Sequence, residues 1–225
     1  MLNFPIDREV LAPLAPPGTV VDTYKGKAYV SVVGFLFLNT KVSGVPIPFH
    51  QTFEEVNLRF YVRRLAGEEW RRGVVFIKEI VPSVAVATVA RMAYGENYVT
   101  LPMRHRLEHA ADNSVTAATY SWRLGERWNH LQAVPHGEAF VPAPGTLEEF
   151  ITEHYWGYTA QPDGGCLEYQ VEHPQWLVRR VNDYVFDCNV AAIYGDAFVA
   201  ALSAPPGSAF LAEGSPVAVF KGVRI

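Results

Sequence analysis

The chain has 225 residues, 49% hydrophobic and 19% charged, a globular composition that excludes a disordered, collagen-like, coiled-coil or disulfide-stapled protein. Its 19 Lys and Arg against 23 Asp and Glu leave a net charge of −4, so the basic footprint of a nucleic-acid binder is missing and no such partner is expected. The longest apolar stretch, near Tyr29–Leu38, is interrupted by Ser31 and Gly34, short of the ~18–20 unbroken apolar residues of a membrane span.

The opening residues Met1 to Glu9 show no positive region followed by an apolar core; no secretory signal is expected, and the cytoplasm is the expected address. A short helix is expected near Asp7–Leu14. Residues 28–38 read as a strand buried on both sides. In 53–64, Val56, Leu58, Phe60 and Val62 alternate with Glu55, Asn57, Arg59, Tyr61 and Arg63, the period of a half-apolar strand. Residues 73–80 read as another buried strand. Ser83 before Val84–Tyr94, with Gly95 behind, predicts a capped helix. Strands are expected over 97–108, 113–124 and 127–134. Thr146-Leu-Glu-Glu149 is a capping box opening a helix to about His154. Strands over 166–173 and 208–224 complete the reading. Strands dominate, so the fold class is α+β, β-rich: a mostly antiparallel curled sheet or partly closed barrel in one domain spanning 1–225. Cys166 and Cys188 are expected to be buried thiols.

Several segments carry a family resemblance. They are Ala15-Pro-Pro-Gly18, Ala28-Tyr-Val-Ser31, Phe53 to Val62, Arg72 to Pro82, Ala90-Arg91 through His105, Phe150 to Tyr158, and Val171 to Trp176. In this order they resemble the DUF2071, or YqjF-like, family of bacterial proteins. That family is similar in fold to acetoacetate decarboxylase, so the resemblance implies a β-rich, cone-like barrel around a pocket. The decarboxylases use a lysine in a Pro-Lys context after a Gly-Arg-Glu segment. Here Pro102 is followed by Met103, and no lysine occurs between Lys78 and Lys221. A thioether forms no imine, so acetoacetate-type Schiff-base decarboxylation is not expected.

Glu55, Asn57, Arg59 and Tyr61 would share one strand face. Turned inward, Arg59 would clamp a carboxylate and Glu55 would exchange a proton; turned outward, the same stripe is a solvated face with cross-strand ion pairs. The resemblance places Glu55 at a decarboxylase pocket glutamate, and Arg91 at the arginine of the Gly-Arg-Glu segment. Arg91 is otherwise a cation complementing a helix C-terminus. It groups with Glu96 and with His105, an imidazole that the flanking Arg104 and Arg106 would keep neutral, or else an exposed strand histidine. His105 and His109 on one strand lie ~13 Å apart, too far for one metal. His50, His130, His136, His154 and His173 are dispersed. No metal and no cofactor are expected, because P-loop, Gly-x-Gly-x-x-Gly and zinc motifs are lacking. Glu153-His154-Tyr155 and His173-Pro174-Gln-Trp176 stand at element ends, where pockets are often rimmed.

Three functions compete. One is a small-molecule pocket for a carboxylate or keto acid, using Glu55 as the catalytic group and Asn57, Arg59, Tyr61, Arg91 and His105 for binding. Another is a non-catalytic scaffold or ligand sensor with a vestigial pocket, for which self-association is open. A third is a lyase using Lys78 as a displaced amine.

Overall fold

The computed structural model describes residues 1–42, 45–46 and 52–225. The strands are β1 (Leu2–Ile6), β2 (Val20–Val21), β3 (Ala28–Phe37), β4 (Lys41–Val42), β5 (Val45–Pro46), β6 (Phe53–Ala66), β7 (Glu69–Val81), β8 (Tyr98–Thr100) and β9 (Met103–His109). They continue with β10 (Val115–Leu124), β11 (Arg127–Phe140), β12 (Trp156–Ala160), β13 (Cys166–Glu172), β14 (Val178–Asp187), β15 (Ser208–Ala212), β16 (Ala218–Val219) and β17 (Val223–Arg224). The helices are short: α1 (Arg8–Leu11), α2 (Val84–Tyr94), α3 (Leu147–Thr152), α4 (Val190–Tyr194) and α5 (Val199–Ser203).

One main sheet runs in the order β16-β13-β12-β7-β6-β3-β1-β15-β14-β11-β10-β9, with β17 on β13, β2 on β6 and β8 on β7. Pairing is antiparallel except where β7 meets β12 and β8. The expected β-rich α+β class holds, and the strand order is an open path. The strand expected over 97–108 is broken at Leu101-Pro102 into β8 and β9, since proline has no N–H to donate to a ladder. The strand expected over 208–224 becomes β15, β16 and β17. No described helix is long and apolar enough to cross a membrane. Both cysteines are free, Cys166 buried and Cys188 partly so; burial pushes their thiols up to about 11 and about 12.

The two helix signals operate as read. Ser83 accepts the Val86 N–H at 3.4 Å, and Gly95 ends α2 at φ 71°, a conformation that costs glycine little. Thr146 accepts the Glu149 N–H at 3.3 Å. The Glu149 carboxylate does not complete the capping box; it pairs with Arg72 at 3.3 Å instead. Arg72 also reaches Asp22 and the Phe150 carbonyl, at 3.3 and 3.0 Å, and so ties α3 to β7.

β6 is the central element, held between β3 and β7. Val56, Leu58, Phe60 and Val62 are fully buried in the main core with Val30, Val32 and Trp122. Each such side chain contributes roughly 1.5–3 kcal/mol of transfer free energy. On the other face Tyr61 packs in a second cluster with Tyr29, Val74, Phe150 and Ile151. The half-apolar strand of the sequence reading is therefore buried on both sides.

A β-bulge in β7 then decides which polar residues face which way. Leu58 pairs with Lys78 but Arg59 pairs with Phe76, which leaves Ile77 without a partner. Directly paired residues share a face. Strict alternation would put Lys78 with Val74 and Phe76; the bulge instead puts Lys78 on the Leu58 side and Glu79 opposite Asn57.

Where β12 joins β7, Gly73 pairs with Trp156. A Cβ there would lie 2.6 Å from the Trp156 carbonyl oxygen and 2.5 Å from Cε2 of Tyr158. Tyr158 is fully buried. Gly73→Ala is predicted to cost roughly 2–3 kcal/mol through overpacking and to lower Tm by about 4–10 °C. An unchanged melting curve would show that this joint yields.

Candidate functional site

The stripe of β6 faces inward. Glu55, Asn57 and Tyr61 are each 1% exposed, and Arg59 is half-buried. At one end Asn57 donates Nδ2 to Glu55 Oε1 at 2.9 Å. At the other, the Tyr61 hydroxyl meets Ser31 Oγ at 2.5 Å, and Ser31 donates to Asn3 Oδ1 at 2.6 Å. Arg59 lies between. Its Nη2 is 3.5 Å from the Ile151 carbonyl, and its Nε is buried with no acceptor. Among the described residues no ion pair engages Arg59, whereas Arg72 nearby is bridged to Asp22 and Glu149.

The Glu55 end is an acid nest. The bulge delivers Glu79, 2% exposed, from β7. Tyr98, its parallel partner on β8, donates to Glu55 Oε2 at 3.1 Å. Glu96, in the link from α2 to β8, accepts from Thr159 at 2.6 Å and from Tyr169 at 2.7 Å. Tyr169 reaches it across β12 because its partner there is Gly157, where a Cβ would fall 2.0 Å from the Tyr169 ring.

Burial removes water from all three carboxyls and disfavours their charged forms. Glu55 is pushed up to about 7 by desolvation, against the Asn57 and Tyr98 hydrogen bonds and the charge of Arg59. Desolvation likewise raises Glu96 to about 7, despite its two hydroxyl donors. Glu79 rises well above the usual carboxylate range, through burial and then the charges of Glu96 and Glu55. Its Oε2 has no hydrogen-bond partner, nor does Asn57 Oδ1.

The Tyr61 end is aromatic. His154, just beyond α3, is 6% exposed, with ring centroids 4.6 Å from Tyr61 and 5.7 Å from Phe150. Desolvation, then the charges of Arg72 and Arg59, hold it well below the usual imidazole range.

Three expected residues lie elsewhere. Arg91 is exposed and donates Nε and Nη2 to the Tyr98 carbonyl at 3.0 and 2.7 Å; it anchors the backbone at Tyr98 and lines no wall beside Glu55. His105 is exposed on β9, its Nδ1 2.7 Å from Glu54, whose side chain points opposite to that of Glu55. Lys78, turned by the bulge, donates to the Ile193 carbonyl on the main-core side. His50 lies outside the described residues. His130 and His136 pair separately with Ser121 and Asp183, and His173 stacks between Tyr155 and Trp176. Among the described residues no three His, Cys, Asp or Glu side chains converge to hold a metal. Sequence reasoning does not find Glu79, Tyr98, Thr159 and Tyr169 as site residues. The one local signal was an acid inside the apolar run of β7.

The nest links stability to pH. A carboxyl whose folded value is raised contributes fully below its unfolded value, and the contribution is lost as pH rises through the folded one. For Glu96 the window runs from its ordinary 4.5 to about 7, worth on the order of 3 kcal/mol. Glu96→Gln keeps an acceptor for Thr159 and Tyr169 but cannot ionise. Its Tm relative to wild type is predicted to rise by several degrees between about pH 5 and pH 8. A difference independent of pH would mean that Glu96 does not carry this linkage.

Comparison with known proteins gives the same fold. The chain is 26% identical over 178 residues to "Uncharacterized protein YqjF" of Bacillus subtilis (strain 168), covering 79% of this chain and 70% of that protein. The enduracididine biosynthesis enzyme MppR, complexed with pyruvate, superimposes with a TM-score of 0.61 at 11% identity, over 99% of this chain and 83% of that one. Acetoacetate decarboxylase from Legionella pneumophila superimposes with a TM-score of 0.58 at 10% identity, over 99% and 79%. At such identity these two establish an acetoacetate decarboxylase-like fold and no activity. The profile of DUF2071, described as "Uncharacterized conserved protein", matches residues 1–216, and the chain belongs to that family.

Proposed function

We propose that the chain binds a small carboxylate, of the keto-acid class, against the Glu55–Arg59 face, and that Glu55 exchanges a proton with it. The observation that carries this reading is Arg59, a half-buried guanidinium without a counter-ion among the described residues. A buried cation needs an anion or a full set of acceptors. The neighbouring carboxyls respond to burial by holding protons, so they do not serve. An incoming carboxylate would pair with Arg59 bidentately. Asn57 Oδ1 and Glu79 Oε2, both unpartnered, are open to the ligand's polar groups.

Glu55, with its carboxyl near neutrality, suits general acid–base work. In its ionised form, present in part at neutral pH, it would take as a base a proton from the carbon beside the ligand's carbonyl. The C–H electrons would pass to the carbonyl oxygen, and Arg59 would stabilise the resulting enolate. The like-folded MppR complexed with pyruvate supports the ligand class. A Schiff-base route through Lys78 gains no support, because Lys78 shares the Leu58 face. The close packing of the stripe, whose unpartnered atoms lack any solvent-accessible surface, favours a second reading: a ligand sensor or scaffold with a vestigial pocket.

Calorimetric titration with pyruvate, acetoacetate and 2-oxoglutarate separates the two. Wild type is expected to bind at least one acid, and Arg59→Ala to weaken it about tenfold or more, the loss of one charge-assisted hydrogen bond. Affinity should fall as pH rises through about 7, where Glu55 and Glu96 ionise and repel the anion. Equal affinities for wild type and Arg59→Ala would remove Arg59 from the site; no binding to wild type would leave the vestigial reading.

A further inference from the structure

The aromatic end of the stripe holds a second group that the proposed chemistry has not used. His154 is buried between Tyr61 and Phe150, and neither ring nitrogen makes a hydrogen bond. An imidazole carries at least one N–H, and leaving such a donor unpaired in the interior costs about 1–3 kcal/mol. Phenylalanine would fill the same aromatic niche without that cost. Packing alone therefore does not account for a histidine here.

Its surroundings indicate what the ring is for. The Ile151 carbonyl, at the end of α3, receives the long 3.5 Å contact from Arg59 Nη2. The same carbonyl lies beside the His154 ring without a bond of full geometry. Arg59 and His154 thus approach one acceptor oxygen, which leaves Arg59 Nε and both ring nitrogens of His154 without a bond. The charges that act most strongly on the ring are those of Arg72 and Arg59; among the described residues no acid is bonded to it. Such surroundings keep the imidazole neutral, as a hydrogen-bond donor that does not surrender its proton as an acid would.

A surface cleft of about 290 Å³, lined by Tyr24, Trp70, Arg72, Glu149 and Phe150 among others, reaches α3 from outside. Phe150 lines that cleft and also contacts both Tyr61 and His154, with ring centroids 5.4 and 5.7 Å away. Its ring therefore borders both the cleft and the buried stripe.

We propose that His154 is a second ligand-binding residue: its ring N–H and the Arg59 guanidinium together hold one anionic oxygen of a small keto acid, which replaces the Ile151 carbonyl as their acceptor. This rests on the reading of Arg59 as a carboxylate site and adds the residue that fixes the ligand's orientation. With the carboxylate at Arg59 and His154, the ligand's carbonyl end is directed toward Glu55 and Asn57, so short keto acids fit better than extended dicarboxylates.

The test uses the full chain, with pyruvate as probe. The ring nitrogens of His154 are followed by ¹⁵N-detected NMR during the titration, and affinity is measured for wild type, His154→Phe and His154→Gln. Pyruvate is expected to shift the His154 nitrogen resonances. His154→Phe, which keeps the aromatic packing, should weaken pyruvate about tenfold or more, and His154→Gln, which restores a donor, should recover part of the loss. His154 resonances unmoved at saturating pyruvate would overturn the proposal whatever the variants do, and so would wild-type affinity in a folded His154→Phe. In either case binding that still depends on Arg59 leaves the carboxylate reading intact. No binding of pyruvate to wild type overturns this inference; no binding of any acid of the panel also overturns the carboxylate reading.

Discussion

A strand buried on both faces must settle the charges it turns inward without water, and β6 turns Glu55 and Arg59 inward. Its apolar half anchors the main core; its polar half sets Glu55, Asn57, Arg59 and Tyr61 against β7, β8 and α3. Glutamate and arginine respond differently to that confinement. A glutamate can become neutral by keeping its proton, and Glu55, Glu79 and Glu96 are all displaced in that direction. A guanidinium cannot lose its charge under ordinary conditions. Among the described residues Arg59 is left without a counter-ion beside three acids that keep their protons well above the ordinary carboxylate range.

The fold is that of the decarboxylases, but the chemistry available is different. A Schiff base needs an amine that faces the ligand. In this chain the Pro-Lys position of the resemblance reads Pro102-Met103, and Lys78 is turned by the bulge at Ile77 to the opposite side of the sheet. The same bulge brings Glu79 in. One extra residue in β7 thus exchanges a lysine for an acid on the Glu55 face.

Much of this was legible in the sequence, for physical reasons. Alternation in 53–64 is a period-2 signal that any strand must show, so Glu55, Asn57, Arg59 and Tyr61 were placed on one face correctly. Ser83, Gly95 and Thr146 are local cap signals, and they end or begin the helices where expected. The failures are non-local. A bulge depends on the partner strand, so alternation alone puts Lys78 with Val74 and Phe76, where the structure does not. Arg91 and His105 carry the right chemistry, but one serves the Tyr98 carbonyl and the other Glu54, partners that only the tertiary fold supplies. Glu96, Tyr98, Thr159 and Tyr169 come from four separate segments, and no spacing rule joins them. Burial of both faces of β6 was likewise invisible, because a polar stripe reads the same whether it meets solvent or a second layer.

The central claim is that the acids around Arg59 keep their protons in the folded chain up to about pH 6, while Arg59 stays charged. Side-chain carboxyl ¹³C shifts, followed by NMR through a pH titration and assigned with single Glu→Gln variants, read this directly. The account predicts that at about pH 6 the Glu55, Glu79 and Glu96 carboxyls still show the shift of the protonated acid, well above the ordinary glutamate midpoint of ~4.3. Three carboxylates already ionised at that pH would contradict it, and Arg59 would then have its counter-ions within the protein.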